Sequence, residues 1–135
     1  MIVDTSAVVA ILFAEPDAGD YAHAIAAAEP CRMSAATLVE TSIVVQLQTK
    51  SGGMQQLDAF LRRAAIAIDP VSEEQAHIAR QAYADYGKGR HAAGLNFGDC
   101  FAYALAKATG EPLLYKGRDF ARTDIESALD RRATR

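Results

Sequence analysis

The sequence predicts a three-layer α/β/α domain with a central, mainly parallel sheet of four to five strands. Two observations lead to this prediction. Short apolar segments suited to buried strands alternate along the chain with longer segments suited to helices, and strands connected through helices pair in parallel, with helices on both faces of the sheet. The chain has 135 residues, of which 50% are hydrophobic. We therefore expect one domain over residues 1–135 with a sizeable core.

The first half of the chain contains alternating strand and helix segments separated by proline and glycine. Strands are predicted over residues 1–3 and 31–34, and helices over residues 7–13, 18–28, 36–50 and 54–63. Asp4, Thr5 and Ser6 are residue types that cap a helix N-terminus. Pro16 and Pro30 interrupt helical segments because proline cannot continue a helix.

The second half continues the same alternation. A strand over residues 66–68 precedes a helix that begins after Ser72, which forms a capping-box pattern with Gln75, and runs to about residue 86. A glycine-rich loop at 87–94 and an alanine-rich helix at 97–109 follow. The chain then continues with a strand at 112–115, a turn at 116–120 and a short strand near 124–125.

The bulk properties exclude several classes of protein. The formal net charge of −3 argues against nucleic-acid binding through overall charge, although a bound metal inverts the local sign of an acidic pocket. No apolar run approaches the ~20 residues that span a bilayer, and no leader pattern precedes Asp4. We expect a cytoplasmic protein in which Cys31 and Cys100, which form no C-x-x-C pair, are reduced and buried.

Three aspartates follow strands or begin helices at one predicted edge of the sheet, where parallel sheets form their sites. Asp4 ends the first strand, and its alternative role is to cap the next helix. Asp99 begins the alanine-rich helix, and its alternative role is to stabilise the first turn with Asn96 as N-cap. Asn96 could also orient a carboxylate or a water. Asp119 follows the strand at 112–115, where an ordinary turn aspartate is the alternative, and Asp124 competes for the same role.

Glu40 lies on the helix predicted over residues 36–50. Ile43, Val44 and Leu47 lie three, four and seven residues later, which places them on its face of the helix. We therefore predict that Glu40 lies in an inward apolar stripe, away from Thr41. A charge there is costly unless it is paired or bound to a metal, and the alternative is a partly exposed glutamate. Four gathered carboxylates with only oxygen ligands suit Mg²⁺, with Mn²⁺ as a possible substitute.

The sequence resembles the PIN-domain ribonucleases, specifically the VapC-type toxins of toxin–antitoxin pairs. The matching segments fall in family order and span essentially the whole chain: residues 1–7, 34–40, 95–104 and 113–120, followed by Thr123 and Asp124. The segment at 95–104 is the most specific. The resemblance implies a PIN-like fold and a Mg²⁺-dependent endoribonuclease that cleaves tRNA or ribosomal RNA loops. It also implies a homodimer that is inhibited by a cognate VapB-type antitoxin.

The resemblance also assigns roles to individual residues. Asp4, Glu40 and Asp99 would be the metal-binding and catalytic acids, with Asp119 or Asp124 as the fourth and Ser6 as a supporting hydroxyl. Basic residues near these acids are candidates to bind the RNA backbone: Lys88, Arg90 and His91 in the glycine-rich loop, and Lys116, Arg118 and Arg122 around Asp119. The alternative for each of them is a solvated surface charge.

Other functional classes fit the sequence less well. A haloacid-dehalogenase-type phosphatase needs an aspartate two residues after the first, where this chain has Ser6. A dinucleotide-binding loop needs three glycines between a strand and a helix, and the glycines at 87 and 89 follow a helix instead. A PIN-like scaffold that binds RNA or protein without cutting remains the alternative to a nuclease.

Overall fold

Four short parallel strands form the centre of the computed structural model, which describes residues 1–129. They are β1 (Ile2–Val3), β2 (Cys31–Ser34), β3 (Ile66–Asp69) and β4 (Leu113–Leu114), in the spatial order β3-β2-β1-β4. Every neighbouring pair of strands is parallel. The predicted mainly parallel sheet is therefore confirmed, with four strands.

Helices cover both faces of this sheet. They are α1 (Thr5–Leu12), α2 (Ala18–Ala27), α3 (Ala35–Gln48), α4 (Gly53–Arg63), α5 (Glu73–Tyr86) and α6 (Phe97–Thr109), followed by a 3-10 turn at Phe120–Arg122. Ile2 and Leu113 pack into a core with α5 and α6, whereas Val3 and Leu114 pack into a second core with α1 to α4. Successive strand residues point to opposite faces, so these short strands supply side chains to both cores and the three-layer prediction is confirmed.

Capping residues set the helix boundaries that position the site. α1 begins at Thr5, two residues earlier than predicted, because the Asp4 carboxylate accepts the Ser6 N–H at 3.0 Å. Ser34 caps α3 in the same way, accepting the Ala36 N–H at 3.2 Å. Both helices therefore start directly after a strand, at the carboxyl edge of the sheet.

The prediction of a strand near residues 124–125 is wrong. The parallel pairing instead falls on Ser127, which forms an isolated bridge with Leu113. The Leu113 N–H donates to Glu126 O at 2.9 Å, and the Ala128 N–H donates to Leu113 O at 2.9 Å. The Asp124 side chain is occupied by contacts to α6, so this segment reaches the sheet only after it has passed that helix.

The predicted inward face of α3 is also wrong. Thr41 is fully buried, whereas Ile43 and Leu47 are 51% and 82% exposed. The Thr41 hydroxyl lies 2.8 Å from the Thr5 hydroxyl and donates to Thr37 O at 2.8 Å. A hydroxyl with hydrogen-bond partners can be buried at little cost, and so the side of α3 that carries Thr41 faces the protein interior.

Two further expectations concern cysteines and membranes. Cys31 and Cys100 are both free and buried, as predicted. Within residues 1–129, no helix is both long enough and apolar enough to cross a bilayer.

Leu57 on α4 provides a test of the core beneath β1. Its side chain is fully buried, so Leu57→Ala should lower the free energy of unfolding by about 2–5 kcal/mol in urea denaturation. Leu47→Ala is the matched control and should change it by less than about 0.5 kcal/mol, because Leu47 is largely exposed. Equal losses for the two variants would contradict this assignment of core and surface.

Candidate active site

The site is centred on Asp4, at the carboxyl end of the strand that lies between β2 and β4. The chain passes from this strand to β2 and β3 on one side and then to β4 on the other, so the strand order reverses here, which is where open α/β sheets form a crevice. The Asp4 N–H donates to Leu114 O at 3.0 Å, so the backbone of Asp4 is fixed to the sheet. Its side chain is buried, with a residue exposure of 4%.

The two carboxylate oxygens of Asp4 have different surroundings. Oδ2 accepts hydrogen bonds from the Ser6 N–H at 3.0 Å and the Ser6 hydroxyl at 2.6 Å. Oδ1 is buried and has no hydrogen-bond partner among residues 1–129. Burial raises the pKa of Asp4 to about 6, the charge of Glu40 adds to the rise, and the Ser6 hydrogen bonds oppose it. The structure therefore places Ser6 as the residue that orients Asp4 and leaves one oxygen available.

Glu40 reaches the same edge from the second turn of α3. The Thr5 hydroxyl donates to Glu40 Oε1 at 2.8 Å. Glu40 Oε2 lies over Gly98, where a Cβ would overlap it. Thr5 and Gly98 thus position Glu40, and sequence reasoning missed both roles. The sequence signal that could have found them is their position, since Thr5 follows Asp4 and Gly98 precedes Asp99.

Asp99 has the capping role considered for it and also lies near the other predicted acids. It is the third residue of α6 and forms a reciprocal capping box, in which Asp99 N–H donates to Asn96 Oδ1 at 2.8 Å and Asn96 N–H donates to Asp99 Oδ2 at 3.0 Å. Burial raises the pKa of Asp99 to about 7, and the charges of Asp4, Glu40 and Asp119 raise it further. The charges of the other three predicted acids therefore all reach Asp99.

Asp124 belongs to a different environment from Asp119. Its carboxylate accepts the Tyr103 hydroxyl at 2.6 Å and pairs with Lys107 Nζ at 2.5 Å. The Lys107 and Tyr103 hydrogen bonds hold the pKa of Asp124 below its usual range despite partial burial. Asp119 is exposed and its charge acts on Asp99. Of the two candidates, the structure brings only Asp119 to the acid cluster.

The predicted basic residues divide into paired and exposed groups. Lys116 Nζ pairs with Glu15 at 2.5 Å and with Asp17 at 2.9 Å, while its backbone N–H donates to the Ser6 hydroxyl at 2.9 Å. Lys116 therefore connects Ser6 of the site to Glu15 and Asp17. The other predicted basic residues are exposed: Lys88, Arg90, His91, Arg118 and Arg122. The Arg90 guanidinium lies 6.0 Å from the centre of the Tyr83 ring, His91 accepts the Ala93 N–H, and Arg122 donates to Ala92 O.

The donor chemistry of the cluster fits a hard divalent cation. All four acids offer oxygen ligands, and the buried, unpartnered Oδ1 of Asp4 is an atom that needs a proton or a cation. Within the described part of the chain, no three acidic, histidine or cysteine side chains are close enough together to hold one ion. Mg²⁺ keeps several waters and commonly takes only one or two carboxylates directly, so its coordination does not require three converging side chains.

Comparisons with known proteins identify the family. A family model described as the PIN domain matches residues 1–126. The chain belongs to the PIN-domain family. Ribonuclease VapC28 of Mycobacterium tuberculosis is 52% identical over 133 residues, which is 98% of this chain and 100% of that protein. Ribonuclease VapC of Mycolicibacterium smegmatis is 52% identical over 126 residues, covering 93% of this chain and 97% of that protein. The chain is thus a PIN-domain protein of the VapC type.

Solved structures support the fold independently. The crystal structure of Mycobacterium tuberculosis VapC20, described as a toxin that cleaves the sarcin–ricin loop, has a TM-score of 0.75 at 17% identity and covers 92% of this chain and 95% of that one. A chain of a toxin–antitoxin complex from Klebsiella pneumoniae has a TM-score of 0.67 at 16% identity, covering 91% and 92%. At these identities the likeness concerns the PIN fold alone.

Ser6→Ala tests how Asp4 is held. Loss of the hydroxyl removes a hydrogen bond that favours the charged carboxylate, so the pKa of Asp4 should rise above about 6 in an NMR titration of the metal-free protein. Ser42→Ala is the control, because the Ser42 hydroxyl donates to Leu38 O within α3. An unchanged or lower pKa of Asp4 in Ser6→Ala would show that Ser6 does not stabilise the carboxylate.

Proposed function

We propose that this PIN-domain protein is a Mg²⁺-dependent endoribonuclease toxin that hydrolyses phosphodiester bonds in tRNA or ribosomal RNA loops. The observation that carries the proposal is the buried Asp4 carboxylate, with one unpartnered oxygen, beside Glu40 and Asp99. The relatives that are 52% identical over nearly the full chain carry the name ribonuclease, which supports RNA as the substrate.

In this proposal each acid has a role that follows from its position. Asp4 Oδ1 and Asp99 would hold Mg²⁺ or Mn²⁺, with Glu40 and Asp119 completing the cluster. When bound, the ion supplies a water of lowered pKa and neutralises charge on the phosphate. Ser6 orients Asp4, Thr5 orients Glu40, and Asn96 orients Asp99 through hydrogen bonds of 2.6 to 3.0 Å. One carboxylate of the cluster accepts the proton of the attacking water.

The proposal extends to partners and location. We propose that the protein acts as a cytoplasmic homodimer and is inhibited by a cognate VapB-type antitoxin. A structurally similar chain comes from a toxin–antitoxin complex, which supports the antitoxin. An acidic cleft in a chain of net charge −3 favours a basic inhibitory segment. Co-expression with the product of a neighbouring small reading frame should suppress toxicity and change the oligomeric state.

Substitution of single acids tests the catalytic assignment. Asp4→Asn, Asp99→Asn and Asp119→Asn should each reduce Mg²⁺-dependent cleavage of single-stranded RNA by about 100-fold or more, because each removes a charge from the cluster. Asp124→Asn is the matched control and should retain cleavage, since Asp124 pairs with Lys107 and Tyr103 instead. EDTA should abolish the activity of the unsubstituted protein.

The opposite results separate the alternatives. Cleavage that survives both EDTA and the Asp4→Asn substitution would refute the acid–metal mechanism. RNA binding by the unsubstituted protein without any Mg²⁺- or Mn²⁺-dependent cleavage would instead establish a non-catalytic PIN-like scaffold. Loss of cleavage in Asp124→Asn with retention in Asp119→Asn would reverse the choice of fourth acid.

The raised pKa values also predict how stability depends on pH. Asp4 and Asp99 have folded-state pKa values of about 6 and about 7, above those of the unfolded chain. In the metal-free protein their contribution is therefore fully present below about pH 4 and is lost as the pH rises through 6 to 7. A cation that binds the charged forms should reverse this loss.

Thermal unfolding with Mg²⁺ and with EDTA measures this reversal. The increase in Tm caused by Mg²⁺ should be small near about pH 5 and larger near about pH 8, because the ion competes with protons for the same oxygens. The dependence should weaken in Asp4→Asn. A Mg²⁺ effect of equal size at both pH values would contradict binding at these two carboxylates.

A further inference from the structure

A cavity of about 550 Å³ lies beside the acid cluster, between α5, the glycine-rich loop and the start of α6. Aromatic side chains form much of its wall. Tyr83 and Phe97 are 40% and 78% exposed, and Phe101 packs edge-on against Phe97 with ring centroids 4.9 Å apart. Large aromatic rings exposed at the mouth of a cavity are unusual on a protein surface and indicate a binding site.

Positive charge accompanies these rings. Arg80 and Lys88 line the cavity, and no acidic residue is among the described residues that line it. The Arg90 guanidinium lies 6.0 Å from the centre of the Tyr83 ring. Aromatic faces next to lysine and arginine are the combination that binds single-stranded nucleic acid, because the rings stack on bases and the cations attract phosphates.

The cavity and the proposed catalytic cluster share one residue. Asn96 lines the cavity and forms the capping box with Asp99. Phe97 and Phe101 lie one turn apart on one face of α6, whereas Asp99, two residues from each, lies on another face near the start of the same helix. An RNA strand that reaches both the cavity and the acids would therefore pass over the first turn of α6.

We propose that this cavity is a subsite for one unpaired nucleobase of the RNA substrate, which stacks on Tyr83 and Phe97 while neighbouring phosphates lie against Lys88 and Arg80. The inference deepens the proposed ribonuclease function and rests on it. The cavity volume falls within the roughly 300–1,000 Å³ typical of small-molecule sites. A base within a duplex cannot enter, because both of its faces are already stacked. The subsite thus selects loops over helices.

A second copy of the chain fits this face less well than RNA does. A two-fold interface places the same patch of both copies together. Docking through this cavity would bring Arg80 and Lys88 of both copies into one interface, where like charges repel. A polyanion with flat aromatic groups matches both the charge and the rings.

Binding of two matched oligomers tests the subsite. All proteins carry Asp4→Asn to prevent cleavage, and the probes are a labelled single-stranded uridine oligomer and an abasic ribose–phosphate oligomer of equal length. Fluorescence anisotropy should show tighter binding of the uridine oligomer. Tyr83→Leu and Phe97→Leu should each weaken that binding by about 5- to 100-fold, the range for loss of one stacked base, and leave the abasic oligomer unaffected.

Charge variants and surface controls complete the experiment. Lys88→Gln and Arg80→Gln should weaken the binding of both oligomers equally and reduce the salt dependence of that binding. Lys50→Gln and Leu47→Ala, which alter exposed positions in and just after α3, should change neither affinity. The Tm of each leucine variant should stay close to that of the parent protein, because the replaced rings are exposed.

Two results would overturn the subsite. One is equal affinity for the two oligomers in the presence of intact Tyr83 and Phe97. The other is a change of oligomeric mass by light scattering in the leucine variants without any change in base preference, which would make this face an interface between copies. Mg²⁺-dependent cleavage by the unsubstituted protein, which keeps Asp4, is measured in parallel. Retained cleavage with no base preference refutes the subsite alone, whereas base preference without cleavage refutes the catalytic proposal and supports the subsite.

Discussion

Burial of the Asp4 carboxylate at the end of the central strand is the constraint on which the rest of the site depends. The backbone of Asp4 is held by Leu114 on the neighbouring strand, so the side chain cannot move out to water without disturbing the sheet. One carboxylate oxygen is satisfied by Ser6, and the other has no hydrogen-bond partner in the part of the chain that the structure describes. A buried carboxylate oxygen in this state requires a proton or a cation.

Capping and chemistry are compatible at this site because a carboxylate has two oxygens. Asp4 caps α1 through Oδ2 and leaves Oδ1 uncommitted. Asp99 uses Oδ2 for the capping box of α6 and is still close enough to the other acids for their charges to raise its pKa. The hydrogen bonds that begin these helices therefore also orient the acids, which limits their rotamer freedom. A role as helix cap is thus compatible with a place in the acid cluster.

The electrostatic organisation separates two neighbouring surfaces. The acid cluster lies at the carboxyl edge of the sheet, where Lys116 is neutralised by Glu15 and Asp17 and so does not cancel the local negative charge. The cavity next to it contains Arg80 and Lys88 beside exposed aromatic rings. A chain with an overall charge of −3 therefore has an acidic edge of the sheet next to a cavity that carries basic and aromatic residues.

Local signals in the sequence determined the alternation of strands and helices, the capping positions of Asp4 and Asp99, and their common edge of the sheet. Only the tertiary structure decided which face of α3 is buried, because the Thr41 hydroxyl contacts that of Thr5, a residue 36 positions away. It also decided that Asp119 and not Asp124 joins the cluster, since Tyr103 and Lys107 of α6 bind Asp124. Hydrophobic periodicity describes one element at a time, whereas these outcomes depend on hydrogen bonds and ion pairs between side chains from elements distant in the sequence.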